Sequence, residues 1–136
     1  MALGKLIERD AFVIAADTVV AAGVRILPKA ETPEQAATCI KILSGRRHDV
    51  FTCVAIRAPD GRITSRTVKS IVGFARLDEG QKRAYLESQD WQGKAGGYAI
   101  QGLAAEFIDF LSGSYSAVVG LPLYETGALL RGLGYR

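Results

Sequence analysis

Val50-Phe51-Thr52-Cys53-Val54-Ala55-Ile56 alternates two faces that are both mostly apolar, and Ala58-Pro59-Asp60-Gly61 follows it at once. A strand that is apolar on both faces reads as a central strand covered on both sides. The next four residues are a turn with a mechanism, because proline presets φ and Asp-Gly accepts positive φ. Ile63 to Phe74 then returns as a long strand, part of it wet, given Arg66, Lys69 and Ser70. A tight turn between two strands makes an antiparallel hairpin and excludes a strict βαβ repeat at the centre of the fold.

Working outward toward the N-terminus, Thr32-Pro33-Glu34-Gln35 is a helix start: Thr32 caps, Pro33 suits the first helical position and Gln35 completes a capping box. Ala36, Ala37, Ile40 and Leu43 share one face of that helix, and Gly45 ends it. Before it, Ala11 to Ala16 reads as a buried strand that stops at the polar pair Asp17-Thr18. Val19 to Ala22 continues extended, Gly23 turns, and Val24 to Leu27 completes a second hairpin.

Toward the C-terminus, Asp78 and Gln81 start a second helix with Leu77, Ala84 and Tyr85 facing inward. Ser88 to Gly93 is a loop carrying the sole tryptophan, Trp91. Ala104 to Leu111 reads as a short helix and Gly113 to Ser116 as a loop. Leu121-Pro122 opens a last helix with Leu123, Leu129 and Leu130 as its apolar contacts. The expectation is a single α/β domain over residues 1–136, a mixed sheet with flanking helices.

Composition narrows the chemistry. Seventeen basic and 14 acidic residues leave a net charge of +3, too mild a balance to indicate nucleic acid as a partner. No apolar stretch reaches membrane-spanning length. The charged start, Met1 to Asp10, does not read as a secretory signal, so a cytoplasmic protein is expected. Cys39 and Cys53 do not form a C-x-x-C pair and read as two buried thiols. His48 is the one histidine, which excludes multi-histidine zinc sites and leaves carboxylates and lysines as the acids and bases of any catalysis. The run Lys94-Ala95-Gly96-Gly97-Tyr98-Ala99-Ile100-Gln101-Gly102 combines a cation and an amide with glycines whose backbone can approach a ligand and turn N–H groups toward phosphate.

Five segments occur in a telling order: Ala16-Asp17-Thr18-Val19-Val20; Leu27-Pro28-Lys29; Leu43-Ser44-Gly45 with His48, Val50 and Thr52; Lys94 to Gly102; and Gly113-Ser114-Tyr115 followed by Val118 to Leu123. Together they resemble the Maf family of nucleoside triphosphate pyrophosphatases, once described as septum-formation inhibitors. The resemblance implies a fold similar to that of inosine triphosphate pyrophosphatases. It implies hydrolysis of a nucleoside triphosphate to monophosphate and diphosphate, with magnesium or manganese as cofactor. Asp17 matches the acidic residue that activates water, with a possible share in metal binding. Thr18 and Gln101 match positions tied to base choice, threonine being the residue of the dTTP and UTP subgroup. Lys29 and Lys94 match substrate-binding lysines. A homodimer is a possible assembly.

The chain departs from the family pattern at Pro28, where glycine is usual, at Ala30 for proline and at Gly93 for aspartate. The family's Ser-x-Ser-x-Arg-Arg loop has no counterpart in this sequence. The expectation is therefore a truncated, mis-started or divergent short form whose sheet lacks the first strand. Two alternatives stand beside pyrimidine triphosphate hydrolysis: a pyrophosphatase for another base, such as methylated GTP, or a non-catalytic nucleotide-binding fragment acting in division control.

Overall fold

A computed structural model describes residues 11–136. The charged start read at Met1 to Asp10 lies outside the described residues. Ten elements follow in order: β1 (Val13–Ala22), β2 (Arg25–Leu27), α1 (Pro33–Leu43), β3 (Arg47–Arg57), β4 (Ile63–Phe74), α2 (Glu79–Ser88), a 3-10 helix (Leu103–Phe107), β5 (Ile108–Ser112), α3 (Tyr115–Val119) and α4 (Leu123–Gly132). The strands form one sheet in the order β2-β1-β3-β4-β5, and every pairing among the described residues is antiparallel.

The centre is the hairpin the sequence announces. β3 pairs with β4 from Arg47↔Gly73 to Arg57↔Ile63 and with β1 from Val13↔Arg57 to Ala21↔Asp49. Its alternation is steeper than the apolar pattern suggests. Val50, Thr52, Val54 and Ile56 are buried, whereas Phe51 and Cys53 on the other face are half-buried. Cys39 is the fully buried thiol of the two, and Cys53 is not. The main core takes its sheet residues from the first face only: Val20, Leu27, Val50, Val72 and Phe74 pack against Ala36, Cys39, Ile40 and Leu43 of α1 and Tyr85 of α2.

Local signals set both longer helices. Thr32 accepts the Gln35 N–H while the Gln35 side chain takes the Thr32 N–H, and Asp78 and Gln81 repeat the arrangement at α2. Gly45 stands just past α1 with φ of 70°. Leu77 and Tyr85 face inward as expected, but Ala84 is exposed and Ala37 only half-buried, because the helix-packing contact lies along the Cys39–Leu43 side.

Three further expectations change. β1 starts at Val13, does not stop at Asp17-Thr18 but runs through to Ala22, and the Ala11–Ala16 run is half-exposed rather than buried. The reason is position: β2 pairs only with Val20, Ala21 and Ala22, so Val13–Val19 has β3 as its one neighbour among the described residues. Ala104–Leu111 divides into a short 3-10 helix and β5, which extends the sheet along Ile71–Phe74. Gly113–Ser116 is not a plain loop, since Ser114 accepts the Ala117 N–H and starts α3. In α4 the buried residue is Thr126, whereas Leu123 is 64% exposed. No helix among the described residues is long and apolar enough to cross a membrane.

Candidate functional site

After Leu27 the chain leaves β1. Instead of continuing the ladder toward Thr18, Lys29 pairs with Ala95 of the glycine run. Ala30 donates to Lys94 O at 3.1 Å and Gly93 to Ala30 O at 2.8 Å, so residues 28–30 and 93–96 are sewn together beside the point where β1 loses its second neighbour. The contact needs glycine. A Cβ on Gly96 would lie 2.9 Å from Val20 Cγ1, and Gly96 and Gly97 adopt φ of 66° and 78°. Their N–H groups are already used: Gly96 donates to Leu27 O and Pro28 O, and Gly97 to Lys94 O. These two glycines therefore serve close packing and a tight turn, not the presentation of free N–H groups to phosphate.

The result is a cavity of about 260 Å³ lined by Thr18, Val20, Lys94, Tyr98, Gln101 and Val118, among others. It brings together three of the five residues singled out from the sequence. Thr18 is half-buried, with its hydroxyl 3.3 Å from that of Thr52 across the strand pair. Gln101 is exposed at the rim. Lys94 is partly exposed, and its ammonium donates to Asp90 O at 2.7 Å and to Asp90 Oδ1 at 3.3 Å.

The other two residues stand apart. Lys29 is exposed and joins the site only through its backbone bridge. Asp17 is exposed on β1 opposite Cys53, and successive strand side chains alternate, so it faces away from the Thr18 side. Asp17 Oδ1 accepts the Thr18 N–H at 3.0 Å. Asp17 thus lies mid-strand, where β1 has β3 as its one neighbour among the described residues, rather than at a strand end.

Behind the cavity is an aromatic wall. The Tyr98 hydroxyl meets His48 Nε2 at 2.5 Å, and both rings pack edge-on against Phe74. Burial pushes His48 down to about 4, against a smaller opposite pull from Asp49, so the imidazole is neutral at pH 7. Burial also raises the Tyr98 phenol, with the nearby Tyr85 adding to the shift. His48 and Tyr98 are structural: both are buried, His48 despite its charged neighbours Arg46, Arg47 and Asp49 in the sequence. Trp91 is likewise core, 4% exposed, with its indole N–H on Leu86 O at 2.9 Å. Tyr115 differs: it is 52% exposed and lines a second, apolar hollow that shares Gln101 and Val119 with the first. The sequence reading passed over Asp90. An acidic residue four positions before Lys94 was the available signal, but in a loop that spacing has no fixed geometry.

A larger groove of about 480 Å³ runs between α1 and α2, lined by Lys41, Glu79, Lys82 and Arg83 among others. It contains none of the five residues, and Lys82 is paired there with Glu79 at 3.4 Å. The smaller cavity, with its cation, hydroxyl and amide converging on an apolar wall, has the make-up of a small-molecule site.

An antiparallel α/β domain with such a site beside β1 is a ligand-binding domain in class. The family model described as "Maf-like protein" matches residues 1–133, and the chain belongs to that family. It is 62% identical over 125 residues to the dTTP/UTP pyrophosphatase of Granulibacter bethesdensis, covering 92% of this chain and 59% of that protein. It is 61% identical over 125 residues to the dTTP/UTP pyrophosphatase of Caulobacter vibrioides, covering 92% and 65%. The protein of the same name from Maricaulis maris is 57% identical over 126 residues, covering 93% and 61%. The chain thus spans less than two thirds of the length of these relatives.

Proposed function

We propose that the chain hydrolyses dTTP and UTP between the α and β phosphates, releasing the monophosphate and diphosphate. One observation carries this reading: Thr18, Lys94 and Gln101, far apart in sequence, line a single cavity. Family membership and the activity named for the relatives support it.

In this reading Gln101, with one donor and one acceptor group, reads the pyrimidine edge, and Thr18 restricts the base from the strand. Lys94 neutralises phosphate charge, and Lys29 adds a second cation from the bridged segment. The triphosphate runs from the cavity past β1, toward the side on which Asp17 lies. There Asp17 accepts a proton from the attacking water. Buried Tyr98 and Val118 exclude solvent behind the base.

A divalent metal fits the residues in one way only. Among the described residues no three His, Cys, Asp or Glu side chains gather to hold an ion by themselves. Magnesium and manganese ordinarily bind through one or two carboxylates together with substrate phosphates, and Asp17 supplies one exposed carboxylate for that purpose. Such an ion would neutralise charge developing on the phosphates.

The test is diphosphate release from dTTP and UTP with magnesium or manganese. Release from both, with little from ATP, is the expected result; nucleotide binding without release sinks the hydrolytic reading. Asp17→Asn should lower turnover by about 10²–10⁴-fold, the usual value of a general base, without changing the melting temperature, since the side chain is exposed. Near-normal turnover in that variant removes Asp17 from the mechanism.

A further inference from the structure

We infer that Asp90 is a positioning residue that locks Lys94 and Gln101 into one unit, an inference that rests on the nucleotide-hydrolase reading above. Its two carboxylate oxygens hold the two sides of the cavity separately. Oδ1 takes the Lys94 ammonium at 3.3 Å, and the Asp90 carbonyl takes it again at 2.7 Å. Oδ2 accepts the Leu103 N–H at 3.0 Å, two residues past Gln101. Between them lies Gly102, packed so closely that a Cβ there would stand 2.4 Å from Asp90 Oδ2. Any larger residue at 102 would displace the carboxylate.

Asp90 is itself held from behind. Its N–H donates to Ser88 Oγ at 3.1 Å, and the Ser88 hydroxyl donates to Tyr85 O at 2.5 Å. The Tyr85 hydroxyl donates to Gly97 O at 2.7 Å, tying α2 to the glycine run that separates Lys94 from Gln101. A chain of hydrogen bonds therefore runs from α2 through Asp90 to Lys94 on one side and, two residues past Gln101, to the Leu103 backbone on the other. An ammonium has three N–H donors, and Asp90 occupies two, leaving one for a ligand at the cavity. The Asp90 and Lys94 side chains are 26% and 36% exposed, so the pair adds little to stability. Its consequence is geometric.

Charge alone predicts the opposite of positioning, which makes the two separable. Removing a carboxylate beside a polyanion site relieves repulsion, and by itself would lower KM and leave kcat unchanged. Loss of positioning lowers kcat without raising KM, because an unaligned substrate still binds.

Asp90→Asn keeps an acceptor for the Leu103 N–H and the backbone carbonyl for the Lys94 ammonium, but loses the carboxylate charge that fixes the ammonium's second donor. It should lose about tenfold in kcat for dTTP with KM unchanged or lower, and keep the preference for dTTP over dCTP. Asp90→Ala releases the Gln101 side as well, and should also shrink that preference about tenfold, in kcat/KM and in equilibrium binding of dTTP and dCTP alike. Lys94→Ala, which leaves Asp90 on Leu103, should keep the preference. The binding comparison stands independently of turnover. A chain that binds dTTP over dCTP but releases no diphosphate defeats the hydrolase reading and leaves Asp90 to be judged on binding. The inference is overturned if Asp90→Ala keeps the base preference, if Asp90→Asn keeps kcat, or if the unsubstituted chain binds dTTP and dCTP equally. A variant that melts earlier with kcat per folded molecule and preference unchanged marks Asp90 as merely structural, which also overturns it.

Discussion

The covered face of the sheet is held differently at its two ends. At one end α1 and α2 lay a hydrophobic layer over Val20, Val50 and Val72, with Leu43 among the most deeply buried side chains. At the other end Val54 and Ile56 are equally buried, and hydroxyls fasten α3 and α4 in addition. Thr52 donates to Ala117 O at 2.6 Å, Ser70 Oγ takes the Ser114 N–H at 3.1 Å, and Ser116 Oγ takes the Leu123 N–H at 3.0 Å. Leu123, Tyr124 and Tyr115 stand exposed around that second end. The cavity lies at the junction, lined by Thr18 and Val20 of β1, Lys94 and Gln101 of the glycine run, and Val118 of α3. Both ends bury apolar side chains; the second adds directional bonds that set the position of the short helix beside the site.

Leu43→Ala should break the comparison most severely. It opens a cavity at a 1% exposed position, and such truncations cost about 2–5 kcal/mol, read as a fall in the denaturant midpoint. Acidification comes next. His48 is held near 4, below its ordinary 6.5, so the unfolded chain binds the proton more readily between those values. The stability is fully present above pH 6.5 and is lost as the pH falls toward 4. The loss is on the order of 3 kcal/mol at about 1.4 kcal/mol per unit, and His48→Gln should flatten that slope in pH-dependent unfolding. Thr52→Val probes the other end. It leaves the buried Ala117 carbonyl unpaired for about 1–3 kcal/mol, and should disturb nucleotide binding through Thr18 and α3 as well. Leu123→Ala is the smallest, within about 0.5 kcal/mol of the parent at a 64% exposed site, and a larger loss would show that Leu123 shares in the packing over buried Val54 and Ile56.

The same contrast explains what the sequence made legible. α1 was readable from Thr32, Pro33, Gln35 and Gly45, because caps are local chemistry, and the central hairpin from its turn residues. The second end was not. Ser114 acts as a cap and Ile108–Ser112 as a strand only because Ser70 and the edge of β4 are there to receive them. For the site, Thr18, Lys94 and Gln101 were found by resemblance, and the fold gathers them. The setting of Asp17 differs from a strand end because its side chain is exposed mid-strand, where β3 is the one neighbour of β1 among the described residues, and the pattern alone suggested an end. Asp90 was invisible because its partners come from a loop whose shape depends on Gly96 fitting against Val20.

Trp91 is the only indole in the sequence, buried directly beside Asp90 and three residues before Lys94. Fluorescence excited near 295 nm therefore comes from this one core residue, next in the chain to Asp90. The molecule carries its own optical reporter, and titration with unlabelled nucleotide can follow the Asp90–Lys94 loop without any dye or tag.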